Sequence, residues 1–318
     1  MRDISGALGF HSFANGQYIR PEIPGLILGV LVISLIRKEF AVKGGSAPLT
    51  RFVLGICLMI GAFIFIGCPT TMLLRLARGD LNALVGLFGF VGGVVAGMFA
   101  LNKGFSLGRA YTTKKSDGFV FPVVGVLLLV ALVFFPAILN FSEQGFASFH
   151  APIVVSLIGG ILVGVIAFIS RICTVAVVRD SIFFKNFGML AMFGVLMLVL
   201  VGYNLIFGHF ELSAEAAPFA HTDGVWNFLG LALVGFVSVL IGGCPFRQLV
   251  LAGSGNSDSA ITVIGMMVGA AVAHNFSIAS SGAGVTDNAP IAFVIAVVVA
   301  VAIALYNIIS NKKERSKQ

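Results

Sequence analysis

The stretch Gly67-Cys68-Pro69-Thr70-Thr71-Met72-Leu73-Leu74-Arg75-Leu76-Ala77-Arg78-Gly79-Asp80 ends one apolar run and leads into another. Its first three residues return as Gly243-Cys244-Pro245, again at the end of a long apolar run. Small residues then follow in the same register. Gly89, Gly93 and Gly97 lie 21, 25 and 29 residues after Cys68, and Gly265, Gly269 and Ala273 lie 21, 25 and 29 residues after Cys244. Each unit reads as an apolar helix, a Cys-Pro break, a short segment and a helix with a small-xxx-small face. Duplication of this kind in an apolar chain points to a transporter or channel with its site at the two breaks.

Composition sets the class. Soluble domains carry about 25% charged residues. This chain carries 10%, against 58% hydrophobic residues and a mean hydropathy of +1.05, so an all-α integral membrane protein is expected. Residues 1–22 mix polar and apolar types without an h-region and cleavage site, and no signal peptide is expected. The four cysteines form no CxxC pair and no zinc spacing, and the five histidines are scattered. No metal and no cofactor is expected. No GxxxxGK[ST] loop is present, so the chain is not expected to hydrolyse ATP or to be an enzyme. The net charge of +7 is explained by membrane topology, leaving the lipid bilayer rather than nucleic acid as a partner.

Apolar runs predict about nine membrane segments, at roughly 24–36, 52–67, 81–101, 119–139, 151–169, 182–207, 225–243, 259–281 and 289–309. A full span needs about 20 residues, so the first two are either extended by flanking residues or broken. Nine spans put the termini on opposite sides. With Lys312, Lys313, Arg315 and Lys317 in the cytoplasm, sixteen of the 20 basic residues fall on that side. The positive-inside rule then places the N-terminus outside and the C-terminus inside. Cys68 comes near the outer face and Cys244 near the inner one, which is the pattern of an inverted repeat. The expected organisation is a single polytopic membrane domain with repeat-like halves at about 20–140 and 200–310. A third, weaker unit at about 151–207 contains Ser170-Arg171-Ile172-Cys173 and Arg179-Asp180 but lacks the proline. Asp80, Asp180 and Asp258 read as helix caps.

Proline suits the first turn of a helix and disfavours helical geometry in the residue before it. Pro69 and Pro245 therefore place Cys68 and Cys244 at the start of half-helices, 70–77 and 246–252. About nine residues cross only ~13 Å, so each half-helix is re-entrant. Unpaired N–H groups and the macrodipole favour anions at such ends, and a polarisable sulfur there can engage soft solutes. Arg75, Arg171 and Arg247 lie within seven residues of their cysteines and could attract an anion further. For Cys57, in mid-helix, packing is the expected role, and whether it takes part in function stays open. For Cys173 a packing role and a path role are equally open. The small-xxx-small faces are read as packing surfaces. His274-Asn275-Phe276 with Ser277, Ser280 and Ser281 would line a pathway or bond between helices.

These phrases resemble the YeeE/YedE sulfur-transport family, and within it the YedE-type selenium-transporter subgroup. The residues carrying the resemblance are Gly67-Cys68-Pro69 with Arg78-Gly79-Asp80-Leu81-Asn82-Ala83-Leu84-Val85-Gly86, then Ser170-Arg171-Ile172-Cys173 with Arg179-Asp180. Gly242-Gly243-Cys244-Pro245-Phe246-Arg247-Gln248 and Ala252-Gly253-Ser254-Gly255-Asn256-Ser257-Asp258 complete it, together with His274-Asn275-Phe276. The resemblance spans about residues 20 to 310. It implies an inner-membrane importer of two inverted halves, taking a small selenium- or sulfur-containing anion such as thiosulfate. Carried over, it puts Cys68, Cys173 and Cys244 on a central path, contacting substrate by weak S–H···S bonds. It also implies a small cytoplasmic sulfur-carrier protein as partner. Two other functions fit less well. A membrane thiol oxidoreductase is disfavoured by the lack of CxxC and by Cys68 and Cys244 entering from opposite sides. A scaffold subunit binding a sulfur or selenium carrier is disfavoured because irregular backbone at membrane depth needs a cavity or a protein wall.

Overall fold

A computed structural model describes the chain except residues 144, 146, 216, 218 and 316–318, with side chains described up to residue 312. Lys317 of the tail lies outside the described residues, and Lys313 and Arg315 are described by backbone alone. The protein is an all-α integral membrane protein. In chain order its helices are α1 (Arg2–Ala7), α2 (Glu22–Ile36), α3 (Pro48–Phe65), α4 (Pro69–Ala77), α5 (Leu81–Asn102), α6 (Lys115–Phe134) and α7 (Ile153–Ser170). They continue with α8 (Thr174–Phe183), α9 (Gly188–Ile206), α10 (Gly224–Ile241), α11 (Pro245–Gly253), α12 (Ser257–Asn275) and α13 (Ala289–Arg315). Two-residue strands β1 (Lys43–Gly44) and β2 (Tyr111–Thr112) pair antiparallel.

Among the described residues eight helical stretches are long and apolar enough to cross a membrane. Each of the nine predicted segments coincides with a helix, and the differences have local causes. α2 has 15 residues, or about 22 Å, and stays short. α3 gains a turn from Pro48–Arg51. α6 stops at Phe134 because Pro136 opens a separate 3-10 turn. α12 ends at Asn275 rather than 281, since Ser277 takes a left-handed φ of 52°. Apolar side chains such as Leu198, Val199, Val294 and Val298 are exposed, as a lipid-facing surface requires.

The chain forms two compact units. The first comprises residues 1–56, 108–172 and 246–275. Its main contact is α2 on α7, where glycines oppose each other. A Cβ on Gly25 or Gly29 would strike the carbonyls of Leu157 and Ile161, and one on Gly160 or Gly164 those of Glu22 and Leu26. On α12, Gly265 meets the Phe52 carbonyl in the same way. Asp258 accepts from Ser46 N at 3.2 Å and lies 3.8 Å from Arg51 Nε. His274 stacks on Phe13 with ring centroids 4.6 Å apart, and Asn275 Nδ2 donates to Phe10 O at 2.9 Å. His274 and Asn275 of the polar cluster therefore contact the N-terminal segment.

The second unit comprises residues 57–107, 173–245 and 276–318. Its core is α5 on α10. Gly89 and Gly93 meet the carbonyls of Phe228 and Ala232, while Gly235 meets that of Phe90. The small face of α5 is thus a packing surface where backbones approach. Buried polar ties hold the flanks: Asn204 Nδ2 donates to Ala77 O at 2.9 Å, and Asn82 Nδ2 to Ala214 O at 2.7 Å.

One local plan appears in both units. Gly79 and Gly255 share a φ of +95°, a conformation that favours glycine, and each turns the chain from a half-helix into a long one. The residue after each forms a parallel bridge, Asp80 with Ser213 and Asn256 with Lys43. Asp80 caps α5, accepting from Asn82 N at 2.8 Å. The other two aspartates do not cap. Asn256 takes that place before α12, accepting from Ser259 N at 2.9 Å, while Asp258 lies in the helix's first turn. Asp180 lies inside α8 and pairs with Arg179 at 2.8 Å.

Candidate functional site

The three breaks share one backbone sequence of events. α3 ends at Phe65, Ile66 takes φ 61°, Gly67 follows, and Cys68 is extended (φ −90°, ψ 173°) as the N-cap of α4. α7 ends at Ser170, Arg171 takes φ 53°, Ile172 follows, and Cys173 is extended (φ −157°, ψ 122°) as the N-cap of α8. α10 ends at Ile241, Gly242 takes φ 86°, Gly243 follows, and Cys244 precedes α11. At each break a left-handed residue, one linker and a cysteine separate two helices, and the cysteine is extended at the first two. Left-handed geometry at a non-glycine costs roughly 1–3 kcal/mol, and a β-branched residue such as Ile66 is an outlier there. The restarted helices have 9, 10 and 9 residues. Each begins with N–H groups that no helical carbonyl can satisfy.

Pro69 and Pro245 occupy the first helical positions of α4 and α11. Cys173 reaches the same geometry with Thr174 in that position. Its signal in the sequence is the apolar run stopping at Ser170-Arg171, not a proline.

The thiols differ in surroundings. Cys173 Sγ lies 4.0 Å from Cys244 Sγ, and both residues are buried. A disulfide would bring the sulfurs to about 2.05 Å, so this is contact without a covalent bond. Sequence reasoning weighed a disulfide only between Cys68 and Cys244, whereas the pair that meets is Cys173 and Cys244. Cys68 is half-buried, with Sγ 3.6 Å from Thr71 Oγ1. Cys57 is buried in the middle of α3. In the second unit α4, α5, α8 and α9 surround an apolar cavity of about 220 Å³, lined by Met72, Phe90, Thr174, Val177 and Met197 among others. The Thr174 hydroxyl is buried and has no hydrogen-bond partner among the described residues. Sequence reasoning missed Thr174; only its position directly after a break cysteine could have flagged it.

The three arginines divide. Arg75 is buried, with Nε 2.7 Å from Asp80 Oδ2 and Nη1 donating to Phe65 O at 3.0 Å. Its guanidinium sits 4.3 Å from the centre of the Phe65 ring. It clamps the end of α4 to the end of α3 and to the cap of α5, and Asp80 matches its charge. Arg75 thus stands beside a matching carboxylate, which weakens its long-range field. Arg171 and Arg247 instead line one cavity of about 220 Å³ in the first unit, with Glu39, Lys43, Ser254 and Asn256.

Residues 169–317 match the family described as sulphur transport, the YeeE/YedE family. The matched span contains Cys173 and Cys244 with Arg171, Arg247 and Pro245; Cys68, Pro69 and Arg75 lie before it. No curated protein matches the chain. The family is one of transporters, and the apolar helices make this chain a multi-pass membrane protein.

Proposed function

We propose that this membrane protein, a sulphur-transport family member over residues 169–317, imports a small sulfur- or selenium-containing anion past Cys68, Cys173 and Cys244. The observation carrying this reading is the 4.0 Å contact between Cys173 and Cys244 at the starts of two short helices. Helix N-termini favour negative charge, and a thiol offers a weak donor and a polarisable sulfur. A chalcogen anion meets both needs at one point. It passes from thiol to thiol without a covalent bond, so the protein is not an enzyme in this reading. The substrate is thiosulfate-like or a selenium species, the membrane is an inner membrane, and a small cytoplasmic sulfur-carrier protein receives the cargo. The repeat-like halves, about 20–140 and 200–310, enter from opposite faces, with the N-terminus outside. Reporter fusions at Gln318 and within Glu211–Asp223 are expected on opposite sides; both on one side would overturn that arrangement.

The same contact favours a second reading, a thiol oxidoreductase. In that reaction Cys173 and Cys244 would form one S–S bond, release two protons and pass two electrons to a low-molecular-weight disulfide. Thiol titration of protein in vesicles during thiosulfate uptake separates the two. Transport by thiol contact keeps the thiol count constant and proceeds with no added oxidant or reductant. Two thiols lost per turnover and regained on reduction would replace the transporter reading with the oxidoreductase.

A further inference from the structure

In the second unit α4, α5, α8 and α9 pack in a ring, each against two of the others. The cavity of about 220 Å³ between them is walled by Met72, Phe90, Phe193 and Met197 with further apolar side chains. Among the described residues lining it, Thr174 alone has a side chain that can donate a hydrogen bond. Thr174 is 7% exposed, and its hydroxyl has no partner among the described residues. Within a helix a threonine hydroxyl can turn back to a carbonyl three or four residues earlier. Thr174 is the first residue of α8, and the residues before it lie across the left-handed turn at Arg171. A partner from outside the helix is therefore called for. Water fits poorly, because a buried water makes about three hydrogen bonds and no other lining side chain offers a strong one.

The cavity opens along α9. Leu190 and Gly194, both in its lining, are exposed, and a Cβ added to Gly194 would meet nothing within 4 Å. α9 is long and apolar enough to cross the membrane, and only 11% of that apolar span is buried inside the protein. The opening faces lipid rather than water, so what enters comes from the bilayer.

We propose that this cavity binds a lipid-soluble ring compound carrying a carbonyl oxygen, the chemistry of a quinone head group, with Thr174 as donor to that oxygen. A dry apolar cavity of ~150 Å³ holds benzene, and about 220 Å³ leaves room for ring substituents. Phe90 and Phe193 can stack on a flat ring, and methionine adapts to its edge. An acyl chain would leave the Thr174 hydroxyl unmatched, whereas a carbonyl oxygen supplies its acceptor. A small oxyanion does not fit, because the lining holds no cation to match its charge. This site is therefore separate from the proposed anion path, and it stands whether or not the chain imports a chalcogen anion. Its occupant rests on the first turn of α8, directly after Cys173.

The test is equilibrium binding of radiolabelled duroquinone to the full-length protein in phosphatidylcholine nanodiscs, with empty nanodiscs subtracted. Every free ring position of duroquinone carries a methyl group, which hinders addition by thiols. Saturable binding is expected, weakened about fivefold or more by Thr174→Val, which keeps the shape and removes the donor. Thr174→Ser keeps the donor and should retain most of the affinity. Gly194→Leu puts a side chain in the opening and should abolish binding, whereas Gly159→Leu, at an equally open glycine of α7, should leave it unchanged. Durene, the same methylated ring without oxygens, should bind more weakly than duroquinone and be indifferent to Thr174→Val. Thr174→Val removes a hydroxyl that has no partner among the described residues, and Gly194→Leu projects into open space, so neither should lower the thermal midpoint. Absence of saturable duroquinone binding, or binding indifferent to either Thr174→Val or Gly194→Leu, overturns the proposal. So does durene binding as tightly as duroquinone, which would assign the cavity to the hydrocarbon of the bilayer.

Discussion

Cys244→Ala is expected to cut thiosulfate uptake about 5- to 100-fold while the protein still inserts at wild-type levels. The range follows from removing one partner of a buried polar contact, about 1–3 kcal/mol, at about 1.4 kcal/mol per tenfold. Cys244 is 1% exposed and touches Cys173 at 4.0 Å, so nothing else can take its place beside that sulfur. Cys68→Ala should fall in the same range, because Cys68, like Cys244, directly precedes a proline and a nine-residue helix. Cys244→Ser keeps a small donor but loses the polarisable sulfur, and should also slow uptake. Cys57→Ala removes a buried thiol from the middle of α3 and should change uptake little, with a stability cost of about 1 kcal/mol. Uptake is read from labelled thiosulfate in intact cells, normalised to membrane protein. If Cys68→Ala and Cys244→Ala both transport at the wild-type rate, thiol contact is not the mechanism, and the breaks act only through their helix dipoles.

The largest stability effect is expected at Arg75 and Asp80, whose side chains are 2% and 1% exposed and 2.7 Å apart. Removing one member of a buried pair leaves the other charge without compensation, at roughly 3–5 kcal/mol. Asp80→Ala also removes the cap of α5, about 1 kcal/mol more. Either single replacement should lower the thermal midpoint in detergent sharply, with much of the protein lost to aggregation. Arg75→Met combined with Asp80→Asn leaves no orphaned charge and should recover part of the loss. Single variants that melt like the wild type would mean the pair is not what joins α4 to its neighbours. Uptake per folded molecule in the double variant then reports on Arg75 as an anion attractor: its charge is already matched, so little change is expected.

Much of this was legible along the chain because membrane helices write themselves as apolar runs, and because proline marks a helix start wherever it falls. Pro69 and Pro245 announced α4 and α11. The third break had no such mark. Arg171 enters the left-handed region as the cap of α7, and nothing in an arginine says so. Ile66 does the same against its own preference. The contact between Cys173 and Cys244 joins residues 71 positions apart, and no local periodicity encodes a pairing of that kind. The pairing of Arg75 was hidden for a related reason. An arginine seven residues after a break cysteine looks free to attract an anion until its neighbour in space, Asp80, is known. Likewise the small residues Gly25, Gly29, Gly160 and Gly164 identify themselves as facing surfaces only once α2 and α7 are seen together.

The interleaving of the two units constrains how the protein can be made. Each unit is assembled from three separate segments, and neither is complete until residues beyond 245 have been synthesised. α10 begins roughly 120 residues after α5 ends, an interval of ~6–25 s at ~5–20 residues per second. Throughout that time the glycine face of α5 has no helix to pack on. The first unit waits similarly, since Phe52 and Gly55 meet α12 only near the end of translation. Insertion and folding are therefore partly separate events here: α2 and α7 can pack early, while α5 and α3 wait for α10 and α12. A ribosome that stalls before α10 leaves α2 packed on α7 but the glycine face of α5 uncovered, for the membrane's proteases to judge.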